Sequence, residues 1–466
     1  MGHPITRLKL ILGGIMAALS ALLLAAPASA GERMIRVDAQ GPGPAAFDGV
    51  DVHQFGPRRP DRVLVLMAGT AGGAGNFTLV ARDLVERIDG LAVWSIDRRS
   101  QTLEDTSRFE AALAGEIGLQ QMFDYYLGWL TNGGTPADHF DFLDTSTVPF
   151  AKRWGMKNAL KDARKVVKKA RIAVGKPSGE GEVFLGGHSL GASLATAYAA
   201  WDFDGRPGYK SIDGVVMIDG GLLGTFATLS RADAVRQVAG LEDEPFLDLL
   251  GVGIPDAAGL FAESGAIMAQ LDPTGDGRIL REFPLLPAEF KPPVDATNRA
   301  NFGYAFDRDT SPPSLTLLHV NAGSLAPTGD PRDWADGGLT PVQNIVATFA
   351  AEPANGVEWY FPRRLTIDTD GANEMRRNAV ARFLGLRLMH TRQIDIPIYA
   401  FQTDLTDGKV LAGAEKLVKR ARTRRRDSVL VDGDPRYSHL DPLMAASGKN
   451  LFTRTVAGFI RRYSGR

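Results

Sequence analysis

The chain reads as an α/β protein with a mostly parallel central sheet flanked by helices. Three observations predict this. Strand, helix and strand patterns follow one another at short spacing from Arg62 to Ile96, an order that feeds parallel strands through crossover helices. A short apolar run, Glu182 to Gly186, goes directly into Gly-His-Ser-Leu-Gly at 187–191 and then into a helical stretch. The alternation returns near the end, with strands expected at 394–401 and 428–431 and helices at 410–422 and 451–462.

The elements follow in order. Arg7 and Lys9 precede an apolar run from Leu10 to Ala26, then Pro27 and Ala28-Ser29-Ala30. A short basic region, an apolar stretch and small residues in an Ala-x-Ala arrangement make an export signal, with cleavage expected after Ala30. The run is at the short limit for a membrane span. Gly31 to Pro60 is rich in Gly and Pro and reads as a lead-in with short extended pieces. Arg62 to Met67 is continuously apolar after its first residue, as in a strand buried on both faces. It ends in a glycine-rich turn, 68–75, before a helical pattern that reaches Ile88. Residues 90–96 give the next strand, ending at Asp97-Arg98-Arg99. Helical periodicity covers 109–130 and 157–174, and 214–218 is another strand.

From 220 to 390 the pattern changes to long, irregular stretches rich in Pro and Gly. A structureless loop of that length does not occur inside a compact domain, so an insertion with its own helices is expected. The expected organisation is an export signal (1–30), a first core part (31–220), an inserted cap or lid (221–390) and a second core part (391–466).

Composition narrows the function. Lys and Arg number 53 against 54 Asp and Glu, and 44% of residues are hydrophobic. Balanced charge gives no reason to expect a nucleic-acid partner. The basic cluster from Lys416 to Arg426 reads as a solvated helix end. There are no cysteines, so disulfides, thiolate metal sites and a cysteine nucleophile are excluded.

The chemistry concentrates at 187–191. A strand running into Gly-x-Ser-x-Gly and then a helix makes a sharp turn that lifts the Ser189 hydroxyl above the sheet edge. Glycines at 187 and 191 permit the close backbone approach this requires. A serine hydroxyl needs a base to take its proton, and the chain has only seven histidines. His188 sits beside Ser189 in the turn and cannot easily reach across. His439, in Ser438-His439-Leu440-Asp441-Pro442, lies between the last strand and the last helix, at the carboxyl edge of the sheet. It is the expected general base.

These features resemble the α/β-hydrolase superfamily over roughly residues 60–220 and 390–465. The matching residues are the turn after Met67, Asp97-Arg98-Arg99, the Gly-His-Ser-Leu-Gly elbow and the Ser-His-Leu-Asp-Pro stretch. The chain order is nucleophile, acid, histidine. The resemblance implies an acid after the 394–401 strand. Asp407, three residues before Val410, is the first choice, with Asp404 and Asp219 as alternatives. It also implies an oxyanion hole from the backbone N–H groups of Leu190 and Thr70. The family usually has His-Gly in that turn where this chain has Ala68-Gly69, so side-chain bracing of the turn is in question.

The expected activity is hydrolysis of carboxylic esters of small molecules through an acyl-enzyme on Ser189, without cofactor or metal, by a protein exported from the cytoplasm. An amide or thioester hydrolase with the same triad, lipase-like action at a lipid interface, and a non-catalytic binding protein on the same scaffold are the alternatives. Asp272, Thr274, Asp276 and Gly277 resemble the first half of a calcium loop. Its closing Glu falls on Phe283, so the stretch reads as an ordinary Asp/Gly turn.

Overall fold

The structure, a computed structural model, describes residues 31–175, 182–350, 356–433 and 435–463. The stretch read as an export signal lies outside them.

In chain order the sheet begins with strands β1 (Arg33–Val37), β2 (Val50–Phe55) and β3 (Arg62–Met67). Helix α1 (Thr78–Arg87) leads to β4 (Leu91–Ile96). Helix α2 (Met156–Ala173), β5 (Glu182–His188), α3 (Leu190–Ala200) and β6 (Gly214–Ile218) follow. After a long intervening segment that includes helices α4 (Ala257–Leu271) and α5 (Asn298–Phe306), the sheet resumes. Strand β7 (Ile398–Gln402), helix α6 (Lys409–Arg420), β8 (Ser428–Asp432) and helix α7 (Leu451–Arg462) complete it.

Eight strands form one sheet in the order β1-β2-β4-β3-β5-β6-β7-β8. The six from β4 to β8 in that row pair in parallel, and β2 pairs antiparallel with both β1 and β4. This is the α/β-hydrolase fold. The parallel strands are apolar on both faces because helices cover both. Alternate residues point to opposite sides. Leu64, Leu66, Phe184, Val216 and Phe401 pack with Val80, Leu84 and Phe459 of α1 and α7. Val63, Val65, Val183, Leu185 and Val215 pack with Leu160, Val167 and Leu194 of α2 and α3.

The short extended pieces of the lead-in are β1 and β2, with its Gly and Pro residues between and beside them. One expectation changes. The helix expected over 109–130 is two helices, Ser107–Leu113 and Leu119–Tyr126, with a 3-10 turn at Gly128–Thr131. The break falls at Gly115, whose φ of +74° ends a helix as no side-chain-bearing residue does without strain.

Between β6 and β7 the chain is mainly helical. Helices α4, α5 and Val342–Phe349 pack together, with Phe302, Phe306 and Phe349 at their junction. A hairpin, Gly323–Gly329 and Arg332–Asp336, packs on α5. Helix Arg363–Ala372 crosses to the other side and packs against α2 and α3. This segment thereby covers the carboxyl edge of the sheet, where β5, β6 and β7 end.

Candidate active site

Ser189 joins β5 to α3 with φ 56° and ψ −123°. A non-glycine residue with positive φ is strained and persists only where its surroundings enforce it. Here the neighbours do. The Ser189 N–H donates to the Ile218 carbonyl at 2.9 Å, tying the turn to the end of β6. The turn also fits only because glycine leaves room. A Cβ on Gly191 would stand 1.9 Å from the Met67 carbonyl oxygen, and one on Gly69 would stand 2.9 Å from the Ser189 Cβ. The elbow and the turn after β3 therefore pack backbone to backbone.

His439 shares a cavity with Ser189. Its Nδ1 lies 2.5 Å from Asp219 Oδ2. Asp219 follows β6 directly and has φ 43°. Its carboxylate also accepts from the Thr403 N–H at 2.8 Å and from the Thr403 hydroxyl. Burial pushes this carboxyl up, but the hydrogen bonds from His439 and Thr403 hold it below the ordinary range. An ionised carboxylate only accepts, so the Asp219 side assigns the His439 proton to Nδ1 and leaves Nε2 free.

The structure thus sets Asp219 against His439, not Asp407, the first choice from the sequence. Asp407 is exposed, past a 3-10 turn at Asp404–Thr406, in a left-handed position. Asp404 forms an ion pair with Arg308 at 2.9 Å. The physical reason lies in the end of β7. Thr403, the first residue beyond it, turns towards Asp219, and the chain then carries both later aspartates away from His439.

The loop bearing His439 is held by Asp441, which sequence reasoning did not weigh, and by His188, which it weighed only as a base. Asp441, buried, accepts from the N–H of Ser438 at 2.7 Å, the N–H of Asn321 at 3.0 Å and the Thr340 hydroxyl at 2.6 Å. Burial pushes its carboxyl up to about 6. His188 points away from solvent, and its Nε2 donates to the His439 carbonyl at 2.9 Å. Burial, with His439 beside it, pushes His188 down to about 3, so it is neutral and positions the loop.

Thr70 lines the same cavity, and Leu190 opens α3. Among the described residues neither N–H donates to a backbone carbonyl. The turn that carries Thr70 lacks the family's histidine but is braced by Arg98. This guanidinium donates to the carbonyls of Ala68 at 2.5 Å, Gly69 at 2.6 Å and Gly72 at 3.0 Å. Arg98 also pairs with Glu358, whose carboxylate accepts from the Ser100 hydroxyl and whose N–H donates to the Ala71 carbonyl at 3.0 Å. The neighbours of Arg98 have separate partners. Asp97 accepts from the Ala74 N–H at 2.5 Å, and Arg99 pairs with Asp162 at 2.7 Å.

Asp276 of the calcium-like stretch pairs with Arg278 at 2.6 Å. Among the described residues no group of three His, Asp or Glu side chains is placed to hold a metal ion. No helix among them is long and apolar enough to cross a membrane.

No protein-family model and no curated protein matches the chain. Solved structures resemble it over most of its length. An epoxide hydrolase from Vigna radiata is 13% identical, with a TM-score of 0.42, covering 94% of this chain and 99% of its own. A monoacylglycerol lipase from Paleococcus ferrophilus is 12% identical, with a TM-score of 0.37, covering 89% and 99%. A thioesterase domain from the curacin biosynthetic pathway is 13% identical, with a TM-score of 0.39, covering 92% and 99%. Likeness this distant assigns no function.

His188 makes a pH prediction. Its folded value is about 3 and its unfolded value is about 6.5. Below about pH 6.5 the unfolded chain binds a proton that the folded chain refuses, so this residue subtracts stability as pH falls from about 6.5 towards 3. His188→Gln removes that loss. Urea unfolding should show the variant losing up to about 1.4 kcal/mol less per pH unit than the parent over this window. Parallel pH dependences would contradict the assignment.

Proposed function

We propose that this protein is a serine hydrolase that cleaves carboxylic esters of small molecules through an acyl-enzyme on Ser189. The observation that carries the reading is the buried Asp219–His439 hydrogen bond on the cavity that also holds Ser189 at its strained elbow.

In this reading His439 Nε2 takes the Ser189 proton as Oγ attacks the acyl carbon. Asp219 holds the ring by its Nδ1–H and stabilises the imidazolium that forms. The carbonyl oxygen becomes negative between the N–H groups of Thr70 and Leu190, which need no reorganisation to receive it. The C–O bond to the alcohol breaks, and the alcohol leaves with the proton held on His439. Water then attacks the acyl-enzyme, giving its proton to His439, and Ser189 recovers it as the acid departs.

Ser189→Ala should abolish both turnover of short p-nitrophenyl esters and labelling by a fluorophosphonate. Persistence of either removes the mechanism, and a parent protein that takes no label favours a non-catalytic binder. Asp219→Asn should lower kcat by roughly 10³- to 10⁴-fold. Asp407→Asn, a surface change, should stay within about twofold. The reverse ranking would restore Asp407 as the acid.

Arg98 acts in this scheme as a positioning residue. Arg98→Met frees three carbonyls of the oxyanion turn, and misplacing a donor by about 1 Å costs about 10²-fold in rate. Steady-state kinetics with a short ester should show the loss in kcat, with KM little changed. An unchanged kcat in the folded variant would separate the brace from catalysis.

We also propose export directed by residues 1–30. N-terminal sequencing of the secreted or periplasmic protein should begin at Gly31; an intact Met1 in the cytoplasm would refute this.

A further inference from the structure

The cavity holding Ser189 and His439 continues into the segment between β6 and β7. A second cavity of about 80 Å³ lies beside it, and Ala258, Ala262, Phe306 and Leu318 line both. The two are adjoining chambers separated by small side chains on α4 and by two apolar residues opposite. Beyond this wall the second chamber is bounded by Phe261, Gly265, Leu280, Leu286 and Phe302.

Its polar neighbours are largely held by the protein. Lys291 Nζ donates to the Phe283 carbonyl at 2.7 Å, and Arg281 pairs with Asp295 at 2.5 Å. Asn301 Nδ2 donates to the Gly277 carbonyl at 2.7 Å, while the buried Asn301 Oδ1 and Arg281 Nε have no partner among the described residues. The rest of the lining is almost entirely hydrocarbon, so the chamber suits an apolar chain. Its extent follows from α4: Ala258 to Gly265 covers about 10 Å at about 1.5 Å per residue, a length that an extended alkyl chain of roughly eight carbons spans.

We propose that the second chamber receives the end of an unbranched apolar chain on the ester, making medium-chain esters the substrate class. This rests on the hydrolase reading above, since only the reacting carbon at Ser189 fixes where the chain starts. Four shared wall residues carry it: a chain leaving the Ser189 cavity past Ala258 and Ala262 enters a space already lined with hydrocarbon. Each methylene buried there should raise kcat/KM by about two- to fourfold until the chamber is full. Two substrate series tell on which side of the ester bond the chain lies: p-nitrophenyl esters of acetate to dodecanoate, and acetates of ethanol to dodecanol.

The test compares both series on the parent, on Ala262→Trp and on Ala305→Phe. Ala262 lies in the shared wall, whereas Ala305 lines only the second chamber. In at least one series the parent should rise at least tenfold from the two-carbon to the eight-carbon member. Both variants should remove most of that rise. Ala305→Phe should keep turnover of p-nitrophenyl acetate within about twofold, as a change remote from the reacting atoms should. A flat or falling profile in both series, with p-nitrophenyl acetate still turned over, overturns the chamber and leaves the hydrolase standing. A rise that survives Ala305→Phe and Ala262→Trp also overturns it. If no ester is turned over and Ser189 takes no fluorophosphonate, the underlying reading fails and the chamber assignment fails with it.

Discussion

The buried pair of Asp219 and His439 is the interaction on which the site depends. A carboxylate out of water is costly unless donors surround it. Asp219 has three, two from Thr403 and one from His439. Those donors come from chain segments far apart in sequence, one at the end of β7 and one in the loop before α7. The pair therefore needs β6 and β7 to be neighbours, and the loop to be fastened over them. Asp441 and His188 do the fastening, the first through the segment between β6 and β7 and the second through the elbow itself.

The same segment reaches the other side of the site. Glu358 meets Arg98, and Arg98 gathers the carbonyls of the turn that carries Thr70. Bracing by a forked guanidinium suits this job, because one planar group satisfies several acceptors at fixed angles. The turn beside Gly69 is thus held by a residue from the next strand end and a carboxylate supplied some 260 positions later, at close range in space. The segment that shapes the apolar space above Ser189 also helps to hold the turn below it.

Much of the fold was legible because its signals are local. An apolar run buried on both faces, a glycine where two backbones touch and an amphipathic helix each announce themselves within a few residues. That is why β3, β5, β6, α3 and α7 lie where the pattern puts them. The weaker readings are those where pairing, not composition, makes the element. The short extended pieces expected in the Gly- and Pro-rich lead-in become β2, which pairs with the edge of β4, and β1, which pairs with β2. Within the long segment before β7, helices and a hairpin are stabilised by each other and by the sheet edge, and little of that is written in any one stretch.

The site divides in the same way. Sequence by itself determined a Ser189 placed between a strand and a helix, flanked by glycines that let the turn close, and a single histidine in a loop at the right end of the sheet. These depend on short-range sterics and on chain order. Only the tertiary structure decided which carboxylate meets His439. Asp219, Asp404 and Asp407 all follow strands, and the spacing to Val410 that ranked Asp407 first carries no information about which strand ends adjoin. The choice is made by the side-by-side packing of β6 and β7, which aims Thr403 at Asp219 and turns Asp404 and Asp407 outward. The Arg98–Glu358 brace belongs to this second kind, a meeting of residues 260 positions apart, and so do the paired chambers, whose walls come from separate helices and loops brought together by burial that acts through space and not along the chain.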